Sequence, residues 1–243
     1  MRRYPSTGTT LSYSFGPGPL SFAVKILLWT NIAAFLVGWF VPNVNYYFGM
    51  EAENVVGHYY LWQPITYMFV HAGPLHILFN MLALWWFGVE LERLWGTRFF
   101  LRFYLVSGLA GAALTLGLSL LPFEFGERLF HVETVGASGA IFGLLLAYAM
   151  YFPDRPIYLY FLFPVRAKYF VLIIAGLSLF TSGTSWSAHL GGLAGGYAFL
   201  KFGRARPLAE IKYRYFKWKM NRLRRKFDVY SGGKANDWDR HVH

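Results

Sequence analysis

The chain has 243 residues, 56% of them hydrophobic and only 14% charged, with a formal net charge of +11 and no cysteine. An ordinary soluble domain carries roughly 25% charged residues, so this is the composition of a membrane-embedded chain, and its 21% aromatic share fits belts at membrane interfaces. The lack of cysteine excludes disulfides and thiolate metal sites, and the basic excess sits in particular loops and the tail, which points away from nucleic acid.

Residues 1–20 form a polar, Gly/Pro-rich segment that begins with Arg2 and Arg3. It does not read as a cleaved signal, because the first apolar run is longer than the ~7–15 residues of a signal core. Apolar runs then predict helices over residues 21–41, 74–89, 99–121, 135–152, 169–180 and 187–202. A full span needs roughly 20 mostly apolar residues. The second, fourth, fifth and sixth runs are short for that and fit a protein that locally thins the bilayer or opens toward water. Residues 21–203 are therefore expected to form an all-α integral membrane bundle of six helices. The basic tail, 204–243, repeats apolar residues at Tyr213, Phe216, Met220, Leu223 and Phe227. That helical spacing predicts an amphipathic helix lying on anionic lipid, with the chain beyond 231 expected to be disordered.

Lys and Arg placement sets the expected topology, because cytoplasmic loops are enriched in both. With both termini inside, Arg2, Arg3, Lys25, Arg93, Arg98, Arg102, Arg155, Arg166, Lys168 and the tail from Lys201 all face the cytoplasm. The outer loops hold Glu51, Glu53, Glu124, Glu127 and Glu133 against the single Arg128. The second, fourth and sixth helices then enter from outside. His76 and Asn80, Ser138, and His189 each lie early in one of them, which places all four at one depth in the outer half of the bilayer.

Each of these residues has an ordinary reading. A serine between glycines is commonly a packing residue, and Asn80 could bond across helices. Histidines within a membrane are costly and usually functional, and Asn80 lies one turn after His76 on the same helix face. Together the four residues point to hydrolysis. A serine hydroxyl needs a base, and His189 could take its proton and return it to a leaving amine. No Asp or Glu falls at this depth, so a Ser–His dyad is expected. The Ser138 amide at a helix start, His76 and Asn80 could stabilise an oxyanion.

At these residues the chain resembles the rhomboid family of intramembrane serine proteases. The family pattern H-x-x-x-x-H-x-x-x-N falls on His71, His76 and Asn80, G-x-S-G on Gly136-Ala137-Ser138-Gly139, and A-H-x-x-G on Ala188, His189 and Gly192. The resemblance covers residues 21–203. It implies Ser138 as nucleophile, His189 as base, and an oxyanion hole from His76, Asn80 and the Ser138 amide. It also implies an aromatic side chain packed on the base, here Phe142 where the family has Tyr. Glu92, in FGVELERLWG, matches a glutamate with a structural role in the helix connection, and its ordinary reading is an ion pair with Arg93 or Arg98. Residues 43–63, with Trp62, match the family's first loop, expected to be scaffold. A lateral gate at the fifth helix is likewise expected from the resemblance.

Small residues suggest how such a site assembles: Gly139 and Gly143 on the fourth helix face Ala188, Gly192 and Gly196 on the sixth. His71 is read as lining a watery approach or as structural. His58 and His131 are expected to be solvated loop residues. A zinc site from His71, His76 and His189 is conceivable, but no H-E-x-x-H motif is present, and no metal or cofactor is expected. The partners expected are single-span membrane protein substrates, the bilayer, and anionic lipid at the tail. The alternatives are an inactive relative that binds membrane proteins, and a histidine-based proton transporter, which would call for intramembrane carboxylates or inverted repeats. With no organellar presequence in view, a bacterial plasma membrane is the expected location.

Overall fold

The computed structural model describes residues 16–159, 163–180 and 186–203. The expected roles of Arg2, Arg3 and the lipid-binding tail, 204–243, lie outside the described residues. The chain divides into two units, Met1–Lys201 and Phe202–His243. The architecture below is that of the first, apart from the last residue of the final helix.

Ten helices and two strands follow one another among the described residues: α1 (Phe22–Phe40), α2 (Val44–Phe48), α3 (Ala52–Gly57), α4 (Gln63–Thr66), α5 (Pro74–Trp95), α6 (Thr97–Ser119), α7 (Glu124–Phe130), α8 (Ser138–Tyr151), β1 (Pro156–Leu159), β2 (Phe163–Arg166), α9 (Ala167–Phe180) and α10 (Trp186–Phe202). Three of them, α1, α5 and α6, are long and apolar enough to cross a membrane, while the shorter helices α8 and α9 are also apolar. The burial pattern of α1 is what a bilayer selects. It turns Ala23, Val24, Leu27 and Asn31 inward and leaves Phe22, Trp29, Trp39 and Phe40 exposed. A surface helix in water would carry polar groups on that outer face. The protein is thus a mostly helical integral membrane protein.

Helix α8 is the centre. Nearly every residue from Gly139 to Ala149 is buried, as expected of a helix that is apolar all round, and it packs against α5, α6 and α9. Helix α10 also closes on it. A Cβ on Gly192 would stand 1.9 Å from the Gly139 carbonyl oxygen, and one on Gly196 would stand 3.1 Å from the Gly143 Cα. Thr115 of α6 and Ser187 of α10 share a buried hydrogen bond of 2.8 Å that fixes where α10 begins.

At the opposite end from Ser138, Glu92 ties three helices together. Its carboxylate accepts hydrogen bonds from the Ala23 and Val24 amides at 2.9 and 3.0 Å, and from the Ser21 and Thr97 hydroxyls. It thereby supplies the N-terminal cap that α1 lacks from its own residues. The ion pair suggested for Glu92 does not form. Arg93 instead donates to the carbonyls of Pro17 and Pro19.

The connection from α8 to α9, expected only as a basic loop, contains an antiparallel hairpin with register Pro156↔Arg166 to Leu159↔Phe163. Lys168 closes its base on Asp154 at 2.9 Å, and Arg155 pairs with Glu90 of α5. The long stretch between α1 and α5 is a compact loop. Tyr60 stacks on Trp62, and Trp62 and Gln63 donate to the carbonyls of Tyr47 and Tyr46.

Candidate active site

Ser138 is the first residue of α8, preceded by Ala137 at the cap position. The segment leading to it is pinned from two sides. Thr134 exchanges two backbone hydrogen bonds with Met50, at 2.9 and 2.7 Å, and the Gly136 amide donates to the Tyr67 carbonyl at 2.8 Å. Gly136 has φ +110°, a conformation open mainly to glycine. A Cβ there would also stand 2.7 Å from Cε1 and Nε2 of His76. The G-x-S-G pattern therefore has a mechanical reason: its first glycine lets the His76 ring approach the backbone just ahead of Ser138.

His189 meets Ser138 from α10. Its Nε2 lies 2.8 Å from Ser138 Oγ, and its ring stacks on Phe142 with centroids 4.1 Å apart and planes 6° from parallel. Phe142 lies one turn after Ser138 on α8, so a single helix supplies both the hydroxyl and the platform that holds the imidazole. His189 is 8% exposed, and its Nδ1 has no hydrogen-bond partner. Among the described residues, no carboxylate orients the ring from that side.

Asn80 and His76 arrive on α5. Asn80 is buried with its amide nitrogen unpaired, 3.5 Å from where a Gly136 Cβ would be. The His76 imidazole and the Asn80 amide thus both face Gly136, the backbone two residues before Ser138. Residues of three helices, α5, α8 and α10, converge here: His76 and Asn80, Ser138 with Phe142, and His189. Gly139 and Gly192 form the contact that lets α10 approach. His71 stands beside this group, its ring edge-on to His76 with centroids 5.1 Å apart. Glu92 lies outside it, at the helix corner described above.

Tyr67 is a contributor that the sequence reading missed. It is fully buried, its hydroxyl donates to the Gly108 carbonyl at 2.7 Å, and its own carbonyl holds the Gly136 amide. It joins α6 to the segment before Ser138. The available signal was its position four residues before His71, in a stretch too irregular to read as helix.

The other two histidines among the described residues have partners. His58 Nδ1 lies 3.0 Å from Asn54 Oδ1, and His131 Nδ1 lies 2.8 Å from Glu53 Oε2. Among the described residues, the group whose metal-capable atoms converge is Glu51, Glu53 and His131, at the start of α3 and the end of α7, and not His71, His76 and His189. Close by, burial raises the Glu133 carboxyl above the ordinary carboxylate range and the Glu51 charge adds to the shift. Burial and the Glu53 charge raise Glu51 in turn.

A family model described as a Rhomboid domain matches residues 58–206. Over 154 residues, 62% of its length, the chain is 33% identical to "Rhomboid protease GluP" of Bacillus subtilis, covering 27% of that protein. It is 32% identical over 181 residues, 70% of the chain, to "Rhomboid protein 1, mitochondrial" of Saccharomyces cerevisiae, covering 49% of it. Over 139 residues, 56% of the chain, it is 34% identical to "Putative rhomboid protease YdcA" of Bacillus subtilis, covering 64% of it. The matches thus span less than two thirds of each of these relatives.

Proposed function

The chain belongs to the rhomboid family, and from that premise we propose that it is an intramembrane serine endopeptidase acting through a Ser138–His189 dyad. The observation that carries this reading is the 2.8 Å contact between Ser138 Oγ and His189 Nε2, with the imidazole held flat on Phe142. A serine beside an unconstrained histidine would gain little. Here the nucleophile sits at the start of a buried helix and the base has one orientation, the arrangement that proximity catalysis requires.

His189 accepts the Ser138 proton as Oγ attacks the carbonyl carbon of the scissile bond. The tetrahedral oxyanion is stabilised by the Ser138 amide at the positive end of α8 and by the side chains of His76 and Asn80. The imidazolium then protonates the leaving amine, and the C–N bond breaks to leave an ester on Ser138. Water, deprotonated by His189, attacks that ester; the bond from the acyl carbon to Oγ breaks, the imidazolium returns its proton to Ser138, and the acid product leaves. The unpaired Nδ1 of His189 supports a dyad: the stacked Phe142 ring does the orienting that a carboxylate does in a triad.

In this reading α1, α5, α6, α8, α9 and α10 are six spans, with both termini and the hairpin on the cytoplasmic side and Ser138 in the outer half of the bilayer. Residues 21–203 are the catalytic domain, and the tail is an accessory held at anionic lipid. Substrates are single-span membrane proteins, and α9 against α5 is the side from which they would enter. The location proposed is a bacterial plasma membrane, while the relatives include both bacterial and mitochondrial proteins.

The test is cleavage of a model single-span substrate in liposomes by the purified full chain, beside Ser138→Ala. Cleavage that disappears in the variant supports the reading. Equal cleavage by both proteins removes Ser138 from the mechanism. No cleavage by a folded wild type favours an inactive relative that binds membrane proteins.

A further inference from the structure

A cavity of about 360 Å³ opens beside the candidate site, with His71 in its wall. Its walls come from three places: Phe35, Gly38 and Trp39 near the end of α1, Asn43 and Asn45 at the start of α2, and His71 just before α5. Asn43 holds a left-handed backbone conformation, φ 58°, which asparagine tolerates better than most residues.

His71 is what makes this cavity more than a packing defect. The residue is 5% exposed, and neither ring nitrogen makes a hydrogen bond of good geometry with the protein. Even if the nearby Phe69 carbonyl took the ring N–H, the second nitrogen, an acceptor in neutral imidazole, would have no donor. Leaving a buried acceptor without a partner is costly, so a polar partner is expected inside the cavity. Its volume accommodates about a dozen waters at the ~30 Å³ each occupies in the liquid. The two asparagines supply the further polar groups that ordered water needs. The same ring also packs edge-on against His76, at a centroid distance of 5.1 Å.

We propose that the cavity between the end of α1 and His71 is a hydration site whose water is hydrogen-bonded to His71, and that the hydrated His71 positions His76. Only the second half rests on the protease reading. His71 touches no reacting atom in this scheme. It is a positioning residue that keeps the neighbouring imidazole turned toward the oxyanion.

Gly38 provides the test. It lines the cavity, and a Cβ there would meet Val44 at 3.9 Å, ordinary van der Waals contact. Gly38→Leu therefore puts an aliphatic side chain into the cavity without moving the helix. Hydroxyl-radical footprinting of the full chain in liposomes reads bound water directly and needs no catalytic activity. His71 is expected to be oxidised in the wild type despite its burial, and to fall to background in Gly38→Leu with the melting temperature preserved. In the cleavage assay the same variant is expected to lose about tenfold in kcat at unchanged KM, a fraction of the 10²–10³ that follows outright removal of an oxyanion donor. An unmodified His71 in the wild type, or equal modification in both proteins, overturns the hydration site. A lost footprint with unchanged kcat overturns the positioning role. A wild type that shows the footprint but cleaves nothing refutes the protease reading, and with it the positioning role, while supporting the hydration site.

Discussion

Phe142 does for His189 what hydrogen bonds do elsewhere: it fixes a ring whose outer nitrogen has no partner. Truncation at this position should therefore act on chemistry. Phe142→Ala is expected to lower kcat by about 10²-fold, the scale of a misplaced catalytic group, with KM little changed in a substrate titration. Phe142→Tyr retains the ring and should stay within a few-fold of wild type. His76 and Asn80 belong to a different step. Each faces Gly136 from α5, and Asn80→Ala should cost about 10²–10³ in kcat if its amide reaches the oxyanion. An effect below about threefold would remove it from that role. The motif residues were legible because their chemistry is distinctive at this depth. Tyr67 was not, since what it does is expressed through its main-chain carbonyl and one buried hydroxyl.

Two element junctions decide whether these residues meet. At the first, Gly192 lies against Gly139 so closely that even a methyl group would overlap the Gly139 carbonyl oxygen. Gly192→Ala should push α10 away from α8 and separate His189 from Ser138, reducing turnover by about 10²-fold or more. Cleavage at the wild-type rate by a folded Gly192→Ala protein would contradict the packing. At the second, Glu92 carries two amides of α1 and two hydroxyls. Glu92→Ala would strand buried donors and is expected to destabilise the fold by about 2–4 kcal/mol. Thermal unfolding in detergent would measure this. The helices at these junctions were visible as apolar runs, but their ends were not. Helix α5 continues past Val89 to Trp95 because the charges there are used: Glu92 caps α1 and Glu90 pairs with Arg155. The hairpin was missed for a related reason. Residues 156–165 are apolar or aromatic throughout, and a two-stranded ribbon carries its signal in the pairing of Ile157 with Val165 rather than in alternation.

At the scale of the whole molecule, the site depends on loops outside the helices. The Met50–Thr134 bridge holds the segment that leads to Ser138, and Glu133, beside it, crowds against Glu51. Because burial and that neighbouring charge raise the Glu133 carboxyl above its unfolded value, the folded protein holds its proton more tightly than the unfolded chain does. Its contribution is therefore favourable below the ordinary carboxylate range and is lost as pH rises through the raised value. Glu133→Gln should accordingly raise the melting temperature at pH 7, and the advantage should disappear on acidification below the normal range. An equal shift at both pH values would exclude ionisation as the cause.

The central claim is that the folded membrane domain assembles an activated serine from α8 and α10. The most direct measurement is labelling of the full-length protein in liposomes with a fluorophosphonate, read by mass spectrometry of the adduct. The dyad predicts one adduct, on Ser138, abolished in Ser138→Ala and strongly reduced in His189→Ala. An unlabelled Ser138 in folded wild type, or equal labelling without His189, would contradict it.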